Sequence, residues 1–353
     1  MSDLSLILDT INEWSEHGTN FALATVVGVR GSTYRGLGAR QLMAADGTSI
    51  GTVSGGCLDA DLQAVAAGVI ARGVPQLVEF DLTADDEAIW GWGIGCNGAT
   101  ELLVEPAAHA RVLADQLRGH IANQRPVAII HHLEPLLPAE FVTDSAGDEI
   151  AAAMSSGEHS VITRPDGRRF IEVIGAPPRL LVCGAGHDAV PLVRYAAELG
   201  FDVVVADDRR QFLTSERFGH LTALVHCRPT DLTRHVEVDR RTYAVIMSHN
   251  YLRDLDYLRD LLGSKAAYIG CLGPGARLTR LLDDLAGEGV QPPEPDRLHG
   301  PAGLDVGADG PEEIAWAVMA EILAVRRGTS AGFLRDRKGP ARSTLAGFPK
   351  EGV

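Results

Sequence analysis

Five cysteines in 353 residues are too few and too irregularly spaced to form a disulfide framework, and an odd number leaves one unmatched. That usage points to a reducing compartment. There is no C-x-x-C and no Cys/His pair at zinc spacing, which argues against a structural zinc site. The N-terminus is acidic and has no basic stretch ahead of an apolar one, so no signal peptide is read. No uninterrupted apolar run approaches the roughly 18 residues of a membrane span. Positive charge is also short. Lys and Arg total 32 against 47 Asp and Glu, a net charge of −15, which argues against a nucleic-acid surface. No internal repeat is visible. The expectation is a cytoplasmic protein with neither nucleic acid nor membrane as partner. What remains is ordinary for a globular chain, 45% apolar and 22% charged, and long enough for two domains.

The first half mixes helices with alternating apolar strands. Leu4 to His17 has helical spacing, with Leu4, Ile7, Leu8, Ile11 and Trp14 on one face. Phe21 to Val29 reads as a strand, followed by a glycine-rich loop holding Arg30, Arg35 and Arg40. Asp46-Gly47 predicts a hairpin. Ser54-Gly55-Gly56-Cys57 leads into a helix from about Leu58 to Arg72, and Gly93-Ile94-Gly95-Cys96-Asn97-Gly98 forms a second glycine loop. Strands at Leu77–Leu82 and Glu101–Glu105 and a helix at Ala107–Gln124 complete residues 1–125. Residues 126–177 read as a strand-rich connection, in which Pro165-Asp166-Gly167 signals a turn.

From Pro178 the pattern is strand, glycine turn, helix, strand, acid. Leu180 to Cys183 is a buried-strand run, and Gly184-Ala185-Gly186-His187-Asp188-Ala189 is a G-x-G-x-x-A turn. A helix follows to Gly200, then a second strand from Phe201 to Ala206 closed by Asp207 and Asp208. The first glycine permits the sharp turn and the second lets backbone approach a phosphate. The small third residue lets helix pack on strand, and an acid about 20 residues on can hold a ribose hydroxyl. The helix N-terminus offers free N–H groups and a positive dipole end. The α/β alternation continues to Arg327, and residues 328–353 read as a mobile, polar, Gly/Pro-rich tail. The fold class is α/β: an N-terminal α+β glycine/cysteine-loop domain, then a Rossmann-like doubly wound parallel-sheet domain.

Chemistry concentrates in two places. Cys57 sits at a predicted helix start, where the dipole favours thiolate, and Cys96 sits in a matching loop. Either thiolate could ligate a soft metal or carry sulfur, although cysteine among glycines is also a small buried hydrophobe. The three loop arginines suit a phosphate or other oxyanion, or ordinary surface ion pairs. In the second half, ligands should bind at the carboxyl edge of the strands, which presents His187, Asp207, Asp208, His226, Ser248, His249, Asn250 and Cys271. An NAD(P)-dependent oxidoreductase using His249 or Cys271 is one reading of this edge, with Asp207 favouring NAD. A nonenzymatic nucleotide-sensing or assembly protein is another.

Taken together, the segments beginning at Gly31 (GSTYRGLGARQLMAADGTSIGTVSGGCLDADL), Gly91 (GWGIGCNGATELLVEP), Pro178 (PRLLVCGAGHDAVPLVRYAAELGFDVVVADDR) and Gly303 (GLDVGADGPEEIAWAVMAEILA) resemble the XdhC/CoxI family of molybdenum hydroxylase accessory proteins. The resemblance implies a chaperone rather than a turnover enzyme. It would transiently bind molybdenum cofactor, as molybdopterin or its dinucleotide form, and aid its sulfuration by a cysteine desulfurase. It would then deliver the cofactor to an apo-hydroxylase of the xanthine dehydrogenase type. A homodimer is compatible with this. The family's motif positions fall on Ser54, Gly55, Gly56, Cys57, Gly95 and Cys96, and on Gly184, Gly186, His187, Asp207 and Asp208. Cys57 and Cys96 would meet the metal, Arg35 and Arg40 the phosphate, and His249 the ligand at the strand edge. Two positions depart from the family pattern. Asn97 stands where glycine is usual, and Ile269 to Arg277 replaces a more basic run, leaving Arg277.

Overall fold

The computed structural model describes residues 3–81, 98–143, 147–220, 222–336 and 345–346. The chain forms two compact units, Ser2–Ala176 with Arg337–Val353, and Pro177–Asp336.

In the first unit α1 (Asp3–Glu16) precedes β1 (Phe21–Gly31), β2 (Arg40–Ala44) and β3 (Ser49–Gly51). Then come α2 (Asp59–Arg72), β4 (Gln76–Asp81), β5 (Gly98–Pro106) and α3 (Ala107–Ala122). The strands pair antiparallel in the order β3-β2-β1-β5-β4. Both faces of β1 are covered, which is why the strand reads as an apolar run instead of alternating. Ala22, Ala24 and Val26 pack with Leu62, Ala66 and Val69 of α2. Phe21 and Leu23 pack with Ile7, Leu8 and Ile11 of α1 and Leu113 and Leu117 of α3. The expected hairpin forms at Asp46-Gly47, where Asp46 accepts from the Thr48 amide (2.8 Å).

The connecting segment is a second antiparallel sheet made of β6 (Val127–Glu134), β7 (Leu136–Val142), β8 (Ser160–Arg164) and β9 (Gly167–Ile174). Their order is β7-β6-β9-β8. It contains a helix that strand patterning missed, α4 (Asp148–Ser156), stopped by Gly157 in the left-handed region. Ala153 of that helix packs on Ala128, Ile171 and Val173.

The second unit alternates strand and helix: β10 (Arg179–Cys183), α5 (Ala189–Glu198), β11 (Asp202–Asp207), α6 (Ser215–Phe218), β12 (Ala223–His226) and α7 (Leu232–His235). β13 (Thr242–Ile246), α8 (Tyr251–Leu262), β14 (Tyr268–Cys271), α9 (Gly275–Gly287), β15 (Leu298–His299) and α10 (Gly310–Arg327) follow. All six strands are parallel, in the order β12-β11-β10-β13-β14-β15. Alternate residues divide between the two faces. Leu180, Val182, Val203 and Val205 pack under α5 and α10, and Leu181, Cys183, Val204 and Ala206 under α8 and α9. This is the doubly wound Rossmann order, whose direction reverses between β10 and β13. At the other end of the chain, Leu345–Ala346 (β16) pairs antiparallel with Val29 and Arg30 of β1.

Candidate functional site

Two loops of the first unit meet beside β5. The loop from Ser32 to Ala39 is braced where the Thr33 hydroxyl donates to the Arg35 carbonyl (2.9 Å) and the Gly38 amide donates to Val26 (2.8 Å). The loop from Thr52 to Leu58 is braced by the buried Ser54. Its hydroxyl donates to Asp59 Oδ1 (2.9 Å) and accepts from the Gly56 amide (3.0 Å). Gly56 turns with φ +103°, which carries Cys57 to the surface. Helix α2 begins at Asp59, with Asp59 and Asp61 set against its dipole in the first turn. Ser32, Thr33, Ser54, Cys57 and Thr100 line a cleft of about 10 Å³, closed by Gly98. Gly98 cannot carry a side chain, because a Cβ there would lie 2.7 Å from the Ser32 carbonyl oxygen. Gly95 and Cys96 lie outside the described residues.

The arginine loop is not the cationic patch its sequence suggests. Arg40 points inward. Its Nη1 and Nη2 donate to Glu172 of β9 at 2.8 and 2.5 Å, and the two side chains are only 5% and 1% exposed. His131 Nε2 lies 3.1 Å from the same carboxylate. Burial alone would push the Glu172 carboxyl up. The Arg40 charge and the His131 contact outweigh it and hold the group down at about 2. Arg40 therefore secures one sheet to the other and is withdrawn from phosphate contact. Arg30 in turn pairs with Asp81 (2.9 Å) and Glu79 (3.4 Å). Arg35 stays half-buried in the loop.

In the second unit, the strand ends assemble a different group. Gly184 adopts φ +119°, and a Cβ on it would stand 2.7 Å from the Ser248 Cα and 2.8 Å from the Met247 carbonyl. The turn after β10 thus lies directly on the turn after β13. Gly186 faces the His249 ring, whose carbon Cδ2 would be 3.6 Å from an added Cβ. His249 has φ +56°, and its Nε2 is 3.1 Å from Asp188 Oδ2. The cap of α8 is Asn250, which accepts from the Arg253 amide (3.1 Å), so His249 is no helix cap. His187 is exposed.

Asp207 is not the open ribose acceptor its position suggests. It is 1% exposed, and both oxygens are engaged. Oδ2 accepts from the Ala185 amide (2.7 Å) and Arg209 Nη2 (2.9 Å); Oδ1 accepts from the Arg209 amide (2.8 Å) and Nε (3.0 Å). Burial raises its carboxyl, but these donors lower it below the usual range. The acid is a staple of the glycine turn. Asp208 instead reaches Arg253 (3.1 Å).

Several residues that shape this edge escaped sequence reasoning. Arg217 donates to the Ala185 and Gly186 carbonyls (2.9 and 3.0 Å) from 31 positions downstream of Gly186. Asp254 gathers Ser248 Oγ and Arg277 Nη2, each at 2.5 Å. The three cysteines of this unit are buried, and burial pushes the Cys227 thiol to about 11 and that of Cys271 to about 12. Burial of this kind favours the protonated thiol and argues against Cys271 as a nucleophile.

Residues 14–81, which carry Cys57 and both braced loops, match the model of the XdhC and CoxI family, and residues 180–322 match the XdhC Rossmann domain. A probable xanthine dehydrogenase component of Bacillus subtilis is 32% identical, over 93% of this chain and 98% of that protein. The chain belongs to the XdhC and CoxI family. It is thereby an accessory protein of the kind that serves molybdenum hydroxylases. The "Molybdenum cofactor insertion chaperone PaoD" of Escherichia coli is 23% identical, over 88% of this chain and 84% of that protein. A solved structure described as a xanthine dehydrogenase from Bacillus halodurans is 30% identical. It superposes with a TM-score of 0.75 over 94% of this chain and 97% of that one. Among the described residues, no helix is long and apolar enough to cross a membrane.

Proposed function

We propose that this family member is a chaperone that receives molybdenum cofactor, aids its sulfuration by a cysteine desulfurase and passes it to an apo-hydroxylase of the xanthine dehydrogenase type. The observation that carries the reading is the contrast among the described cysteines. Cys183, Cys227 and Cys271 are sealed in the Rossmann core, while Cys57 is exposed on a glycine loop beside the hydroxyl side chains of Ser32, Ser54 and Thr100. The cofactor is cargo here. Its dithiolene-bound molybdenum is soft, and an accessible thiolate is a donor of matching softness. Cys57, with Cys96 of the second loop, would hold the metal end. Ser54, Gly55 and Gly56 would present Cys57, and Gly95 would do the same for Cys96. Arg35 is the loop arginine assigned to the pterin phosphate, and Arg40 is not. A relative whose own name is molybdenum cofactor insertion chaperone supports this assignment.

The Rossmann edge supports a phosphate contact in its own right. The Gly184 and Ala185 amides are taken by the Ala206 carbonyl (2.8 Å) and Asp207 (2.7 Å), so the contact falls to Gly186 and His187, in the turn that leads into α5, with His249 over Gly186. A nucleotide phosphate there belongs either to the dinucleotide form of the cofactor or to NAD(P). The test is to isolate the chain from cells making the cofactor and to quantify bound pterin and metal by mass spectrometry and elemental analysis. Pterin with molybdenum is the expected content. A Cys57→Ala/Cys96→Ala double variant that binds as much cofactor as the parent would overturn the thiolate assignment. A nicotinamide cofactor in place of pterin would overturn the chaperone reading.

A further inference from the structure

Tyr34 is a large ring at the surface of a loop that is otherwise tightly braced. It is 53% exposed, although neighbouring Leu37 packs inward against the β-sheet cores. The ring position is built. Its Cδ2–Cε2 side lies on Gly55, where a Cβ would stand 3.4 and 3.6 Å away, so glycine at 55 lets the ring lie close to the backbone of the cysteine loop. The loop beneath the ring is fixed by Thr33, whose hydroxyl donates to Arg35 (2.9 Å). Tyr34 also lines the cleft that contains Cys57.

The size of that cleft decides where a ligand can lie. A volume of about 10 Å³ admits about one water-sized group and no ring. A ligand that brings a sulfur or oxo group to Cys57 must leave its ring system outside, against the exposed aromatic at the mouth. We propose that Tyr34 is a stacking platform for a planar nitrogen heterocycle, the pterin of the cargo, with the metal-bearing substituent directed to Cys57. This rests on the cofactor reading given above. Stacking of a fused heteroaromatic on tyrosine needs only the ring face, so Phe satisfies it and Leu does not.

The experiment uses the full chain, its Tyr34→Phe and Tyr34→Leu variants, and two probes: intact molybdenum cofactor released from a hydroxylase, and 6-hydroxymethylpterin, which lacks dithiolene and metal. Tyr34→Phe should bind cofactor as the parent does. Tyr34→Leu should bind at least about fivefold more weakly, with an unchanged melting temperature. Pterin fluorescence should be quenched by the parent and by Tyr34→Phe, and much less by Tyr34→Leu. Equal cofactor affinity in the parent and Tyr34→Leu would overturn the stacking role, as would an equal loss in Phe and Leu, which would make the hydroxyl the contact. If the parent binds no cofactor but quenches the pterin through Tyr34, the chaperone reading fails and the stacking site stands. If the parent neither binds cofactor nor quenches the pterin, both fall.

Discussion

Glu172 holds Arg40 by both terminal guanidinium nitrogens, at 2.8 and 2.5 Å, where almost no water reaches either side chain. The pair joins the four-stranded sheet to β2 of the larger one and fixes the strand that follows the glycine loop. A Cβ on Gly38 of that loop would stand 3.0 Å from the same carboxylate. Removing one partner of a buried pair leaves the other charge stranded, a loss of about 3–5 kcal/mol. Glu172→Gln is therefore expected to lower the urea midpoint strongly, and a variant within about 1 kcal/mol of the parent would show the pair to be dispensable.

The same carboxyl gives a pH dependence. Its ordinary value is 4.5 and its folded value about 2, so the folded state favours the ionised form. Its contribution is fully present above pH 4.5 and is lost as pH falls toward 2. Near 1.36 kcal/mol per pH unit, this comes to about 3 kcal/mol, in line with the pair-breaking figure. Denaturant midpoints measured from about pH 5 down to about pH 3 should fall less steeply in Glu172→Gln than in the parent.

Gly184 offers a sharper test of backbone geometry. Alanine there would combine φ +119° with contacts of 2.7 and 2.8 Å to the backbone of Ser248 and Met247. Gly219 also has positive φ, at +81°, but an added Cβ meets nothing within 4 Å. Gly219→Ala should cost about 1–3 kcal/mol for the conformation alone. Gly184→Ala should cost clearly more, because neither clashing partner is a side chain that can swing away. Thermal unfolding of the two variants side by side decides it, and equal losses would mean that the crowding at the switch point is relieved by small backbone shifts.

The glycine turn and the β2–β3 hairpin were legible because each residue answers a local demand: Gly184 for the sharp bend and Ala189 for helix-on-strand packing in the one, Asp46-Gly47 for the tight reversal in the other. The continuous apolar runs of β10, β11 and β13 likewise revealed a doubly wound sheet, since burial on both faces removes the need for polar alternation. What stayed hidden depends on partners far along the chain. Arg40 reads as a phosphate ligand until Glu172, 132 positions away, is placed beside it. Asp207 stands where a ribose acceptor belongs, but its two oxygens are already claimed by Ala185 and Arg209. Tyr34 had a local signal, an aromatic inside a glycine-arginine loop, whose meaning depends on Gly55 lying beneath it.

Asp207 as a staple makes its own prediction. Asp207→Asn keeps the size but removes the charge that Arg209 pairs with and weakens the acceptor for the Ala185 amide. A loss of about 1.5–3 kcal/mol is expected for hydrogen bonds to a charged group. Amide exchange at Ala185 should accelerate more than at Leu181, in the middle of the strand. Uniform acceleration across β10 would mean that the variant loosens the whole sheet and that the carboxylate has no special hold on the turn.

Among the described residues, the cysteines separate the two units chemically. Alkylation of the native protein with iodoacetamide at about pH 8 should modify Cys57 and spare Cys183, Cys227 and Cys271. The first is exposed, and burial holds the other three far from ionisation, Cys271 at about 12. Denaturation should expose all three, and peptide mass spectrometry can follow each. Molybdenum cofactor, if Cys57 receives it, should protect that thiol while leaving the buried three as unreactive as before. Labelling of Cys57 at the same rate with and without bound cofactor would place the metal elsewhere, because a ligating or shielded sulfur cannot react with an alkylating agent as freely as an open one.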